Sequence, residues 1–407
     1  MKIYQRLVNI LLLVYIILYP IIPTTRSFAS DIIIYILILL QIIGFIFIKK
    51  ERDSIFNLII NLFNDKIFFT LILLNLAMYL STFVATDIRT TVTHSIRFTM
   101  YIFIFYCISY KTTAKDHRIL FNTFISLATL SGIYTVIQLI YTIHLGYSID
   151  KTIRMSSFLE NPNNLAAYSI LAFFIVIILL ISTKKLAYKL FYGLSSVLLL
   201  INIMFSQSRN ALIAIVIGAF IIAVLYDKRF IILSFILPVI FLIIPSIRSR
   251  VFQIFDMSQN SSRFKIWNID WLMIKDYPLA GIGYENFSVQ YPLYTAKNPN
   301  FIVENGYIAI HPHNIFLKIQ TELGIIGSIL FISFIIATII TLYKLIKSKR
   351  NKIYSSITIG VLTSFVTFIF MNLLDCYLNS PKVLATLFVI LALANSLRIK
   401  INSKIID

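Results

Sequence analysis

Few side chains in this sequence can move protons, and two of the five histidines sit almost together. In the stretch HPHNIFLKIQTELGIIG, His311 and His313 stand just before a long apolar run, Asn314 follows at its opening, and Glu322 comes nine residues after His313. On a helix that is about two and a half turns. Imidazole titrates near neutrality, so a partly shielded His313 can take a proton from a sugar hydroxyl at ordinary pH. His311, two residues away, is a second candidate base. His-Pro-His is a poor chelating spacing and no carboxylate pattern completes a site, so no metal is expected. Taken alone, the motif also suits a capping or structural histidine.

A second kind of chemistry is offered by arginines. Arg209, in MFSQSRNALIAI, falls in so short a connection that its charge must sit at the edge of two helices, where it is costly unless paired, hydrated or used. A snorkelling interfacial arginine is the competing reading. Arg263 opens SSRFKIWNIDWLMIKDYPLAGIGYENF, in which Phe264, Trp267, Trp271 and Ile274 recur at helical spacing. That predicts an amphipathic helix lying on a membrane surface, turned afterwards by Gly281–Gly283. Two quieter stretches add Arg154 ahead of the Asn161-Pro162-Asn163-Asn164 turn and cap, and Arg89, His94 and Arg97 in TDIRTTVTHSIRFTMY.

The elements that must position these groups follow from composition. The 407 residues are 59% hydrophobic and only 13% charged, with a mean hydropathy of +0.87. This excludes an ordinary soluble domain and predicts an all-α polytopic membrane protein. Apolar runs of bridging length fall near 8–24, 31–48, 67–86, 96–110, 119–143, 164–183, 189–206, 211–226, 230–245, 318–343, 353–373 and 380–397, about twelve transmembrane helices. The first resembles a signal peptide, with Ser27-Phe28-Ala29 imitating a cleavage site, but it is long for one and carries Pro20 and Pro23, so it is read as retained. Cys107 and Cys376 lie on separate segments and support neither a disulfide nor a zinc site.

A formal charge of +19 would suggest nucleic acid in a soluble protein; here it is a matter for the positive-inside rule, and no nucleic-acid partner is expected. With both termini cytoplasmic, lysines dominate the inner connections. Outside, arginines prevail: Arg26, Arg89, Arg97, Arg154, Arg209, Arg248, Arg250 and Arg263. Guanidinium forks bind phosphate oxygens bidentately, whereas lysine suffices for an anionic inner leaflet. Residues 1–407 read as one membrane domain, with one large external loop over 245–318 carrying short amphipathic helices. Every chemically equipped stretch faces the same side, as a site for an anionic lipid-linked substrate requires.

In their order across that loop, SQSRNAL, SSRFKIWNIDWLMIKDYPLAGIGYENF and HPHNIFLKIQTELGIIG resemble the O-antigen ligase family, whose homologues include O-antigen polymerases, and FLENPNNLAAY looks like that family too. The resemblance covers about residues 150–330. It implies an inverting membrane glycosyltransferase, independent of metal, cofactor and nucleotide sugar, using a glycan on undecaprenyl diphosphate as donor at the outer face of the cytoplasmic membrane. By the family's pattern His313 is the general base on the acceptor hydroxyl, while Arg209 and Arg263 hold the diphosphate. His311, Asn314, Glu322, Arg154, Arg97 and Arg89 are supporting candidates.

The leading expectation is a ligase transferring finished polysaccharide to a lipid or surface acceptor. A polymerase joining undecaprenyl-diphosphate-linked repeat units is its close rival: it must hold a second charged lipid, for which Arg89, Arg97 and Arg154 are available. A lipid-linked glycan flippase would place its cations in a central cavity and needs no outer histidine. Membrane lipids are partners in every case.

Overall fold

The computed structural model describes residues 2–26, 28–147, 153–243, 245–255, 257–348 and 352–403. Ser27, within the cleavage-like tripeptide, and the 349–351 portion of the lysine-rich connection lie outside the described residues. Among those described the chain is all-helical: α1 (Lys2–Ile21), α2 (Phe28–Phe47), α3 (Lys49–Ile60), α4 (Lys66–Leu80), α5 (Ile88–Lys111), α6 (Ala114–His144), α7 (Pro162–Ser182), α8 (Leu186–Ser206), α9 (Arg209–Leu225), α10 (Ile231–Ile243), α11 (Pro245–Phe255), α12 (Met257–Asp276), α13 (Phe287–Lys297), α14 (Ile315–Lys347), α15 (Lys352–Met371) and α16 (Pro381–Asn402).

Ten of these are long and apolar enough to cross a membrane: α1, α2, α4, α5, α6, α7, α8, α14, α15 and α16. The chain is a multi-pass membrane protein. The other two expected spans take a different form. Arg209–Leu225 is a shorter apolar helix of 17 residues, and Lys228–Ile243 is bent by 108° against Ile247–Gln253. Pro238 lies inside α10, and Pro245 opens the next helix at the bend.

Sequence-coded caps start the helices. Asp65 accepts from the Phe68 amide, Asp87 from that of Thr90, and Asn161 from that of Asn163 just as Pro162 opens α7. Each satisfies an amide that the first turn leaves without a helical partner. In packing, α7 and α16 are central, with 78% and 89% of their spans buried, against 28% for α2 at the periphery. Gly360 of α15 is required where it meets α7, since a Cβ there would come 2.6 Å from the Ile175 Cα. Outward faces present exposed Ile36, Ile43, Ile137, Ile329 and Ile336, as hydrocarbon solvent demands.

The segment between α10 and α14 forms the expected helix after Arg263, but with another face inward. On α12 the buried stripe is Ile266, Ile269 and Met273, which join Ile282, Phe287 and Tyr291 in a small core of their own. Of the aromatic stripe read from the sequence, Phe264 and Trp271 are exposed, Trp267 is half-buried, and only Ile274 is buried. The aliphatic residues take the core and the large rings are left for the interface, where rings with a polar edge are favoured.

The segment is fastened to α14 by backbone. Gly324 breaks α14 with a left-handed φ of 64° and ψ of −164°. The interruption leaves main-chain groups without i→i−4 partners, and the loop supplies them: Ile282 N donates to Thr321 O at 2.9 Å, Gly283 N to Glu322 O at 3.0 Å, and Ile325 N to Pro278 O at 3.0 Å. A Cβ on Gly324 would lie 2.0 Å from Leu279 O, so the close approach that glycine permits here is to the loop backbone.

Candidate functional site

The site is assembled where α14 begins and α15 ends. Asn314 caps α14, its Oδ1 accepting from Phe316 N at 2.9 Å and Leu317 N at 3.2 Å. The next amide, Ile315 N, donates to Asn372 O at 2.9 Å, which pins the start of α14 to the end of α15. The chain leaving α15 then returns Asp375 to His313. Immediately before the cap, Trp267 of α12 donates its indole N–H to Pro312 O at 2.7 Å. His313 itself has a φ of 53°, a conformation that costs a non-glycine residue about 1 kcal/mol or more and persists only where its surroundings enforce it.

His313 Nδ1 lies 3.0 Å from Asp375 Oδ1, and the histidine side chain remains 30% exposed. An ionised carboxylate only accepts, so this contact holds the proton on Nδ1 and leaves Nε2 with a lone pair. Burial alone would raise the Asp375 carboxyl; the His313 hydrogen bond, the two histidines and the Cys376 amide outweigh it and hold the group below its ordinary value. His311 has the opposite character. Burial, then His313, push it down to about 4, and its Nδ1 accepts from the His313 amide at 3.3 Å. The two rings meet edge to face with centroids 4.5 Å apart.

The sequence offered no carboxylate beside the histidine pair, and the fold corrects that: ligand atoms of His311, His313 and Asp375 all lie within 4.8 Å of one another, a group able to hold a metal ion.

Arginines surround this pair. Arg154 Nε donates to Ser206 O at 2.7 Å and its NH2 to Asn163 Oδ1, while Asn163 Nδ2 in turn reaches Asp375 Oδ2 at 3.4 Å. Burial, followed by the nearby Arg250 charge, lowers the proton affinity of Arg154, which also feels Arg209 and Asp375. Arg209 NH1 donates to Gln253 O at 2.8 Å and lies within electrostatic reach of Arg263 and Arg250. Arg250 is held by Gln207 and Gln253. Tyr377, two residues after Asp375, accepts from Asn210 Nδ2 at 3.1 Å and feels Arg263. Among the described residues no carboxylate forms a salt bridge with Arg154, Arg209 or Arg263. Concentrated positive charge without anionic partners can accept a polyanion.

Of the residues singled out in the sequence, His311, His313, Asn314, Arg154, Arg209 and Arg263 are thus brought together. The remainder are elsewhere. Glu322 is fully buried one layer behind, where its Oε2 accepts from the Glu285 amide at 2.9 Å and meets Lys318 Nζ at 3.2 Å. Lys318 also pairs with Glu285 at 2.7 Å and sits 5.0 Å from the centre of the Tyr284 ring. Burial alone would raise the Glu285 carboxyl, but Lys318 outweighs it and keeps the group below its ordinary value. Arg97 pairs with Asp31 at 3.7 Å, and Arg89 is exposed on the first turn of α5.

Sequence reading passed over Asp375, Asn163 as a bridge, Tyr377 and the Glu285–Lys318 pair. The available signal for Asp375 was a carboxylate at the end of a membrane helix, which is expensive unless it is used or paired.

Comparison of the chain with curated proteins finds no match. A family model does match, over a stretch that contains Arg209, Arg263 and His313 and stops short of Asp375. Residues 194–332 match the model described as O-Antigen ligase, so over that stretch, on an all-helical multi-pass scaffold, the chain is similar to the O-antigen ligase family.

Proposed function

We propose that the protein is a ligase-type glycosyltransferase that moves a finished glycan from undecaprenyl diphosphate to a hydroxyl of a lipid or surface acceptor, on the outer face of the cytoplasmic membrane. The observation that carries this reading is the meeting of a carboxylate-oriented imidazole, His313, with the arginine group of Arg154, Arg209 and Arg263.

In the proposed step His313 Nε2 takes the acceptor proton, the hydroxyl oxygen bonds to the anomeric carbon, and the bond from that carbon to the diphosphate oxygen breaks. The electron pair leaves on the diphosphate and the anomeric centre inverts. Charge grows on the leaving group as the bond lengthens, so Arg209 and Arg263, assisted by Arg154 and Arg250, stabilise the transition state more than the ground state. Asp375 keeps the base in its productive tautomer and opposes the charge on the imidazolium that forms. His311, whose Nδ1 is occupied by the His313 amide, is the weaker candidate for the base. No residue of the chain need form a covalent intermediate.

The orientation rests on charge. The end of the bundle opposite His313 carries the lysine-rich connections, which the positive-inside rule assigns to the cytoplasm together with both termini.

A polymerase would need to hold a second lipid diphosphate. Arg89, Arg97 and Arg154 were available for it in the sequence, yet they form no common group: Arg154 joins the donor arginines, Arg97 is paired with Asp31, and Arg89 stands apart. This favours the ligase. The test is the length distribution of undecaprenyl-linked glycan in cells lacking the protein. Long chains stranded on the carrier are expected; accumulation of single repeat units would replace the ligase reading with the polymerase.

A further inference from the structure

At the end of the bundle away from His313, the first turns of α6, the end of α7 and the beginnings of α8 and α15 enclose a cavity of about 590 Å³. Its position relative to the site follows from α15, which starts at this cavity with Ile353 and Tyr354 and delivers Asp375 beyond its other end, about 30 Å away for a 20-residue helix. The lining changes character with depth. Lys115 and Arg118 stand exposed at the mouth, Tyr188 and Tyr192 stack beside them with centroids 6.2 Å apart, and Phe121 and Ile357 form the apolar floor. Phe121 and Ile357 also line a second, narrower apolar cleft with Phe124, Ile175 and Ile390.

Charge at the mouth has one sign. No acidic side chain lines the cavity among the described residues, and Lys184 and Lys185 on the adjoining turn between α7 and α8, with Lys189 on the first turn of α8, are exposed. The one acid of the α6 first turn, Asp116, is directed elsewhere: it closes a capping box with Thr113, its carboxylate accepting from the Thr113 amide and hydroxyl. Neither Lys115 nor Arg118 forms a salt bridge with a described residue. Cations over tyrosines over an apolar floor, at the rim of membrane-crossing helices, match an anionic headgroup above an acyl chain.

We propose that this cavity is a binding site for one anionic phospholipid of the leaflet opposite the His313 site, with Lys115 and Arg118 on the lipid phosphate and the acyl chain against Phe121 and Ile357. The site is separate from the transfer chemistry and does not rest on it. A lipid seated here would brace the starts of α6, α8 and α15 against one another.

The test uses the full-length protein, delipidated in detergent and titrated with palmitoyl-oleoyl phosphatidylglycerol or with phosphatidylcholine of the same chains, bound lipid being counted by native mass spectrometry. Wild type is expected to retain one phosphatidylglycerol in preference to phosphatidylcholine. The double variant Lys115→Ala/Arg118→Ala should weaken phosphatidylglycerol about tenfold or more. Lys49→Ala/Lys50→Ala, which removes two exposed cations from the same end of the bundle, should not. Asn122→Trp keeps every cation and fills the cavity from an exposed position, and it should abolish retention while the protein stays monodisperse. Equal retention of the two lipids, equal loss in the Lys49→Ala/Lys50→Ala control, or unchanged retention in Asn122→Trp would each overturn the proposal. So would displacement by millimolar inorganic phosphate as effective as that by lysophosphatidylglycerol. The readout is lipid mass, so failure of the proposed glycan transfer leaves it untouched.

Discussion

His313 and Asp375 are 62 residues apart in the chain and 3.0 Å apart in space, Nδ1 to Oδ1. A short backbone clamp makes the meeting possible, because Ile315 N on Asn372 O fixes the two helix ends that carry them. In the proposed step the carboxylate selects the tautomer, so it acts as a positioning residue and its removal is separable from loss of the base. His313→Ala should lower glycan transfer in vitro by about 100-fold or more. Asp375→Asn should reduce kcat by on the order of 10²-fold with little change in donor KM, and shift the pH profile of transfer. A full-rate His313→Ala enzyme would remove the imidazole from the chemistry.

The arginine group predicts a different pattern. Arg209→Ala and Arg263→Ala should each cost about 10²–10³-fold in transfer, as expected for a donor aimed at charge that develops in the transition state. Lysine at either position should restore the charge but not the fork, leaving an intermediate rate. Steady-state kinetics with a purified lipid-linked donor measures this, and equal activity of the lysine and alanine variants would argue against direct contact with the diphosphate.

Lys318 supports a fold-level prediction. It is 1% exposed between Glu285 and Glu322, so Lys318→Met leaves two carboxylates buried without a cation. Such a deletion costs about 3–5 kcal/mol. Thermal unfolding in detergent should fall accordingly, and Lys318→Met/Glu285→Gln/Glu322→Gln should recover much of the loss. If the triple variant is no better than the single, the deficit comes from packing and not from unpaired charge.

Asp270 ties stability to pH. Burial raises its carboxyl to about 7, against an opposing hydrogen bond from the Thr321 hydroxyl at 2.7 Å. An unfolded chain releases that proton near pH 4, at about 3.9. The folded state therefore binds the proton that the unfolded state has lost, and the stabilisation, complete below about pH 4, disappears as pH rises through about 7. The protein should unfold at a lower temperature at pH 8 than at pH 5, and Asp270→Asn should flatten the difference. An unchanged pH dependence in that variant would assign it to another group.

The helices were legible in the sequence because hydrocarbon solvent imposes a minimum apolar length, and ten of the twelve runs became long apolar helices. The α9 and α10 runs were harder, since neither a short helix nor a bend after Ile243 alters local hydropathy. Asn161 was readable as a cap because a cap acts within four residues, whereas at the start of α14 the capping reading fell on the histidine and Asn314 takes that place. Asp375 was not, since its meaning depends on a partner 62 residues away and on a helix-end clamp made of backbone, which carries no residue signature. On α12 two stripes overlap in the sequence. The aromatic one is the more conspicuous, but the aliphatic one packs more closely and takes the interior.

The hydrogen bonds from the 278–283 backbone to the interrupted α14 also bear on engineering by recombination. Because Pro278, Ile282 and Gly283 complete the main chain of Thr321, Glu322 and Ile325, the intervening segment and the first turns of α14 form one inheritable unit. A chimera designed to import another relative's acceptor preference by exchanging this segment should place its downstream crossover after Gly327, since a junction at His313 would separate donors from their acceptors.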